Sequence, residues 1–160
     1  KHMPGVLQRA HAHQGASFVE IYTNCIVYND AVFSSFAEKA TAAEGTLVLE
    51  NGLPMMFGKD NDKGIRMKPG ALKLEVVQLG LDGISESDIL VHDETDHIMA
   101  GMLAGMHNPD FPVAVGVLYC EPAQAYDAAV HEQINAAVAA KDGQSDMNSL
   151  LRSGSTWTVV

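Results

Sequence analysis

Two cysteines and seven histidines are the side chains of this 160-residue sequence best suited to holding a metal. Cys25 closes the stretch "SFVEIYTNCIVYND", where an apolar run meets a thiol and then the turn pair Asn29-Asp30. Cys120 ends a second apolar run, "VAVGVLYCEP", as expected of a thiol acting as a small buried hydrophobe. The cysteines are far apart and show no CxxC spacing, so a secreted disulfide framework is not indicated. His11 and His13 in "HAH" are two residues apart, which on a helix turns them to different sides. "HDETDH", from His92 to His97, holds enough ligand types for a zinc or other divalent cation. Its spacing matches no zinc-protease motif, and acidic residues at a solvated helix start account for it through the helix dipole. The sequence contains no GxxxxGKS/T loop, no GxGxxG after a strand and no GxSxG elbow.

The elements that must position these groups follow from periodicity. Val6, Leu7 and Ala10 have helical spacing behind Pro4, and Gly15 ends that helix. "SFVEIYTN" predicts a strand ending at Cys25, so the order is helix then strand, as in half of a βαβ unit. Asp30 is a candidate N-cap for a helix with Val32, Phe33 and Phe36 on one face. "TLVLENGLPMMFGKDNDKGIRM" predicts two short strands joined by an Asn51-Gly52 turn, and "KLEVVQLG" another strand. A helix is expected to start near His92 or Asp93, with Ile98, Met99, Met102 and Leu103 on its apolar face. "FPVAVGVLY" predicts a strand buried on both faces. "AYDAAVHEQINAAVAAK" predicts a long helix with Ala129, Val130, Ile134 and Val138 as its stripe. The terminal Trp157 with its valines is expected to dock on something. Residue physics thus predicts one α/β domain over 1–160, with a mostly parallel sheet flanked by helices.

Charge and hydropathy narrow the possible partners. Twenty acidic against ten basic residues give a net charge of -10, which disfavours nucleic acid and anionic membranes. No stretch approaches the roughly 18 apolar residues of a membrane span, and no secretory leader opens the chain, so a soluble, cytoplasmic protein is expected.

Four blocks in order, "HAHQGASFVEIYTNCIVYND", "ENGLPMMFGKDNDKGIRM", "DILVHDETD" and "LLRSGSTWTVV", resemble the C-terminal half of the β subunit of 2-oxoacid:ferredoxin oxidoreductases, with greatest likeness to the 2-oxoglutarate type. The likeness runs over essentially the whole sequence. It implies the C-terminal portion of a thiamine diphosphate-binding fold, with magnesium, a 4Fe-4S cluster and coenzyme A serving oxidative decarboxylation of a 2-oxo acid. Its implied partners are an α subunit and ferredoxin. In that family three cluster ligands lie near the β-subunit N-terminus and the fourth is the cysteine matching Cys25, so the resemblance implies a metal-ligand role for Cys25. Asn29 and Asp30 are then candidate neighbours of the cluster, with a plain turn and helix cap as the alternative.

The sequence departs from the family pattern at several places. The resemblance leads one to expect Gln at Thr23, Gly at Ala31, and Lys-Gly-Thr at Gln14-Gly15-Ala16. The GDGD-type magnesium and diphosphate segment and the other three cysteines are not in these residues. The chain is therefore expected to be an inactive piece cut from within a longer subunit, with open sheet edges prone to self-association. Two rivals remain open: a non-catalytic subunit-docking module, and a small divalent-metal protein built on His92 to His97.

Overall fold

The computed structural model describes residues 2–141 and 146–159. Its contacts group into two compact units, Lys1–His13 with Ser17–Pro122, and Gln14–Ala16 with Ala123–Val160.

The first unit begins with helix α1, His2–Ala12, where Pro4 falls in the first turn. Gly15, at φ 126, lies just beyond it. Two four-residue helical turns follow, α2 (Ser34–Ala37) and α3 (Ala42–Gly45). Strand β1, Thr46–Val48, pairs in parallel with β5, Val113–Val115. Between them lies an antiparallel sheet in the order β2 (Met56–Phe57), β3 (Lys63–Met67), β4 (Leu74–Gln78). Helix α4, His97–Ala104, precedes β5. The expected α/β class stands, with β1 and β5 as the parallel element and a three-stranded antiparallel sheet beside them.

Both sheets share one core. Leu47 and Leu49 are buried while Val48 between them is half exposed, as strand alternation requires. Met55, Phe57, Ile65, Val77 and Ile89 join them, and Leu103 and Met106 arrive from the region of α4. Each such side chain stabilises the unit by roughly 1.5–3 kcal/mol relative to an exposed one. His92 is the buried polar member, 1% exposed. Its Nε2 lies 2.9 Å from the Val117 carbonyl, so that nitrogen carries the proton and donates. Its backbone N–H donates to Leu53 and its carbonyl accepts from Gly52, which ties the 90–92 segment to the turn after β1.

Several expected elements differ. Residues 17–24 form no strand. An isolated strand leaves its backbone groups unpaired, and no described segment pairs with this one. The helix expected from Asp30 breaks into α2 and α3, with Phe33 rather than Asp30 in the α2 N-cap position. Asp30 instead bonds locally, accepting from Asn24 and from the Ala31 N–H. The Asn51-Gly52 pair does make a turn, with Gly52 at φ 78, but joins no hairpin. The chain after it pairs with the 90–92 segment through a Pro54–Val91 bridge, and β1 pairs with β5 instead. The helix expected at His92 or Asp93 starts at His97, where Asp96 caps the Ile98 and Met99 N–H groups at 2.8 and 3.1 Å. β5 is half buried throughout, because β1 is its one partner among the described strands.

The second unit holds α5 (Tyr126–Ala139) and α6 (Met147–Leu151). The helix expected at α5 is present, with Ala129 and Val130 half buried but Ile134 and Val138 exposed. Trp157 is 85% exposed, so no docking of this ring is seen within the described residues; Val160 lies outside them.

Candidate functional site

Cys25 sits in a tight turn rather than at a strand end. Asn29 donates its N–H to the Cys25 carbonyl at 3.1 Å, an isolated bridge that folds residues 25–29 back on themselves. Asn24 Nδ2 donates to Asp30 Oδ1 across the base of this turn at 2.9 Å. The Ala31 N–H donates to both the Asn24 Oδ1, at 3.0 Å, and the Asp30 carboxylate, at 2.8 Å. Ala31 has φ 55, the left-handed region that favours glycine. That conformation gives a physical reason for the glycine expected at this position.

An aromatic trio anchors the turn to the rest of the unit. The Tyr22 ring meets Phe33 edge-on at 5.2 Å and Phe36 at 5.4 Å, and the two phenylalanines are 5.6 Å apart. Such pairs add roughly 0.5–1.5 kcal/mol each beyond their buried area. Phe36 in turn lies against Gly45, so the site is tied to the start of β1.

The Cys25 side chain is exposed, so the reading of a buried hydrophobe does not apply to it. The backbone N–H groups of Tyr28, then of Val27 and Asn29, hold its thiol below the usual range, against a slight opposing desolvation. Donors converging on a sulfur favour the thiolate, the form that binds metal. Ile26, Val27 and Tyr28 stand out into solvent around it, at 77%, 77% and 92% exposed. One exposed thiol with no further soft donor beside it has the chemistry of at most one corner of an iron–sulfur cluster. No group of three or more His, Cys, Asp or Glu side chains that could hold an ion occurs among the described residues.

The other candidates separate. His92 points into the core, while Asp93 binds the Thr95 hydroxyl and N–H at 2.7 and 2.9 Å. Glu94 pairs with Arg9, and Asp96 is occupied capping α4, so "HDETDH" offers no shared ion site. His11 and His13 belong to no group of three or more ligating side chains among the described residues. Asn29 and Asp30 serve the turn, as its plain-turn reading has it. Sequence reasoning missed Asn24, whose place immediately before the cysteine is the signal that could have found it. It also missed the pairing of Cys120 with His13, separated by 107 residues, for which no local signal exists. Neither side chain lines the open groove of about 620 Å³ that Arg9, Gln8, Asn51 and Gly116 help to form at the carboxyl ends of β1 and β5.

The first unit thus presents an exposed thiol from an aromatic-anchored turn. The chain is 33% identical over 158 residues, 96% of its length, to the 2-oxoglutarate oxidoreductase subunit KorB of Mycobacterium tuberculosis. It spans 41% of that protein, and the resemblance expected from the sequence blocks stands. No protein-family model and no solved structure matches the chain. None of the described helices is long and apolar enough to cross a membrane.

Proposed function

We propose that this chain is part of the β subunit of a 2-oxoacid:ferredoxin oxidoreductase and that Cys25 is its ligand to a 4Fe-4S cluster. The observation that carries the reading is the Cys25 thiol itself: exposed, and set in a turn that the Asn24–Asp30 bond closes. Similarity to KorB along nearly all of the chain supports it and favours 2-oxoglutarate as the 2-oxo acid. The remaining three ligands, thiamine diphosphate and magnesium belong to parts of the subunit outside this sequence, which has no GDGD-type segment.

When bound, these groups supply decarboxylation and one-electron transfer, with coenzyme A taking the acyl group and ferredoxin the electrons. The contribution of this chain is positional. Hydrogen bonds to a ligand sulfur and exclusion of water both tune cluster potential, and the Cys25 turn has the donors for the first. Ile26, Val27 and Tyr28 serve the second once another segment covers them. Phe18, 91% exposed, adds to the apolar surface of this unit, and Leu150, Leu151 and Trp157 expose another in the second unit. Such surfaces suit the rest of the subunit and an α subunit as partners.

The experiment is Cys25→Ser in the full subunit assembled with its partner. Iron content and the reduced-cluster electron paramagnetic signal are expected to fall severalfold, with ferredoxin reduction, while circular dichroism stays unchanged. Full iron content with unaltered electron transfer would reject the ligand role.

A further inference from the structure

Cys120 lies where three charged or basic groups meet, away from any role in the proposed cluster site. Its backbone N–H donates to the Glu94 carbonyl at 2.7 Å, which fixes its position beside the loop before α4. Its sulfur is 3.6 Å from Nδ1 of His13. His13 follows directly on α1, its N–H donating to the Arg9 carbonyl at 3.0 Å, so the imidazole is carried on a helix end. From that helix the Arg9 guanidinium grips both Glu94 carboxylate oxygens, at 2.6 and 2.7 Å. The Glu94 bond is the main cause of Arg9's raised pKa, with burial opposing it and charge attraction to Glu94 adding to it. Glu121, the residue after Cys120, accepts from the Tyr119 hydroxyl at 2.6 Å.

A thiol in contact with an imidazole differs from one packed only among apolar groups. The His13 ring nitrogen lies within reach of its proton. Cys120 is half buried rather than sealed. Arg9 also lines the groove of about 620 Å³, so small molecules reach the guanidinium side of this cluster. Cys25, by contrast, has no basic side chain bonded to its sulfur among the described residues.

We propose that Cys120 is a modification site that exchanges with small disulfides of the glutathione type, with His13 as its base. His13 Nδ1 accepts the thiol proton, and the Cys120 sulfur attacks one sulfur of the disulfide. The disulfide bond breaks as the new sulfur–sulfur bond forms, and the departing thiolate takes up the proton. The small disulfide is thus the oxidant, and one free thiol is released per protein modified. The adduct adds bulk next to the Arg9–Glu94 pair, the link between α1 and the loop before α4.

The test uses the full-length subunit assembled with its partner and incubated with oxidised glutathione, with peptide mass mapping of each cysteine over time. Cys120 is expected to gain glutathione about tenfold faster in the native protein than in the same protein unfolded in urea. His13→Ala is expected to slow the reaction about tenfold, and added free imidazole to restore much of the rate. Restoration separates a proton-accepting imidazole from a merely structural one. Equal or slower reaction of native Cys120 overturns the proposal, as does a His13→Ala variant that reacts at the unaltered rate. Should that variant fail to fold, the native-against-unfolded comparison decides by itself.

Discussion

Asn24 and Asp30 close the turn that presents Cys25, the Asn24 amide donating to the Asp30 carboxylate across 2.9 Å. Both also accept from the N–H of Ala31, so one backbone group is shared by two side chains flanking the cysteine. Asp30→Ala removes two of these three bonds. The bonds are exposed, and the loss is expected to cost about 1 kcal/mol of local order with little effect on global melting. If Cys25 ligates a cluster as proposed, iron bound per subunit is expected to fall, though less than in Cys25→Ser. Undiminished iron occupancy would mean that the bridge is dispensable to the site.

Ala31 is strained where glycine would not be. With φ at 55 its Cβ crowds the backbone, an energy that outweighs the extra unfolded-chain entropy of glycine. Ala31→Gly is therefore expected to stabilise the protein by roughly 0.5–1 kcal/mol, measured as a higher urea midpoint with an unchanged slope. A lower midpoint would contradict the left-handed conformation at this residue.

Gly45 is where α3 approaches α2. A Cβ there would come within 2.6 Å of the Ser35 carbonyl oxygen and 2.8 Å of Phe36 Cα, backbone atoms that cannot swing aside. Gly45→Ala should destabilise by about 1–3 kcal/mol. Because Phe36 belongs to the aromatic trio, the same variant should alter the near-ultraviolet circular dichroism of Tyr22. Wild-type stability and spectrum together would show that the two turns are not in contact as described.

Glu94 reports on the attachment of α1. Its hydrogen bond from Arg9, and secondarily their charge attraction, hold its carboxyl below the usual range. A depressed carboxylate contributes stability above its unfolded pKa, and that contribution is lost as pH falls through the folded value. The stability gap between the protein and Glu94→Gln is thus expected to be largest at neutral pH and to shrink below about pH 4. Arg9 is 49% exposed, so solvent screening limits the gap to about 1 kcal/mol. Urea titrations at several pH values measure it, and a gap that grows in acid would have the wrong sign.

Local signals sufficed where an element is defined by its own sequence. Pro4 and the apolar spacing behind it marked α1, good helix formers marked α5, and the short apolar, β-branched run of "KLEVVQLG" marked β4. Cys25 was singled out by its place between an apolar run and a turn pair, and the resemblance supplied its role. The strand expected before it failed because strand formation depends on a second segment to receive its hydrogen bonds, which residues 17–24 by themselves do not specify. The same dependence explains why Asn51-Gly52 turns without making a hairpin.

What the amino-acid order settled by itself, then, was the α/β character, the acidic charge, helices α1 and α5 and the Asn29-Asp30 turn beside Cys25, since each is read from the residues themselves or from near neighbours in the chain. Tertiary structure alone decided that β1 chooses β5, that His92 is enclosed rather than solvated, and that His13 meets Cys120 across 107 intervening steps of the chain. These are contacts between distant segments, stabilised by burying one core in common, and no short-range pattern encodes which distant segment will complete them.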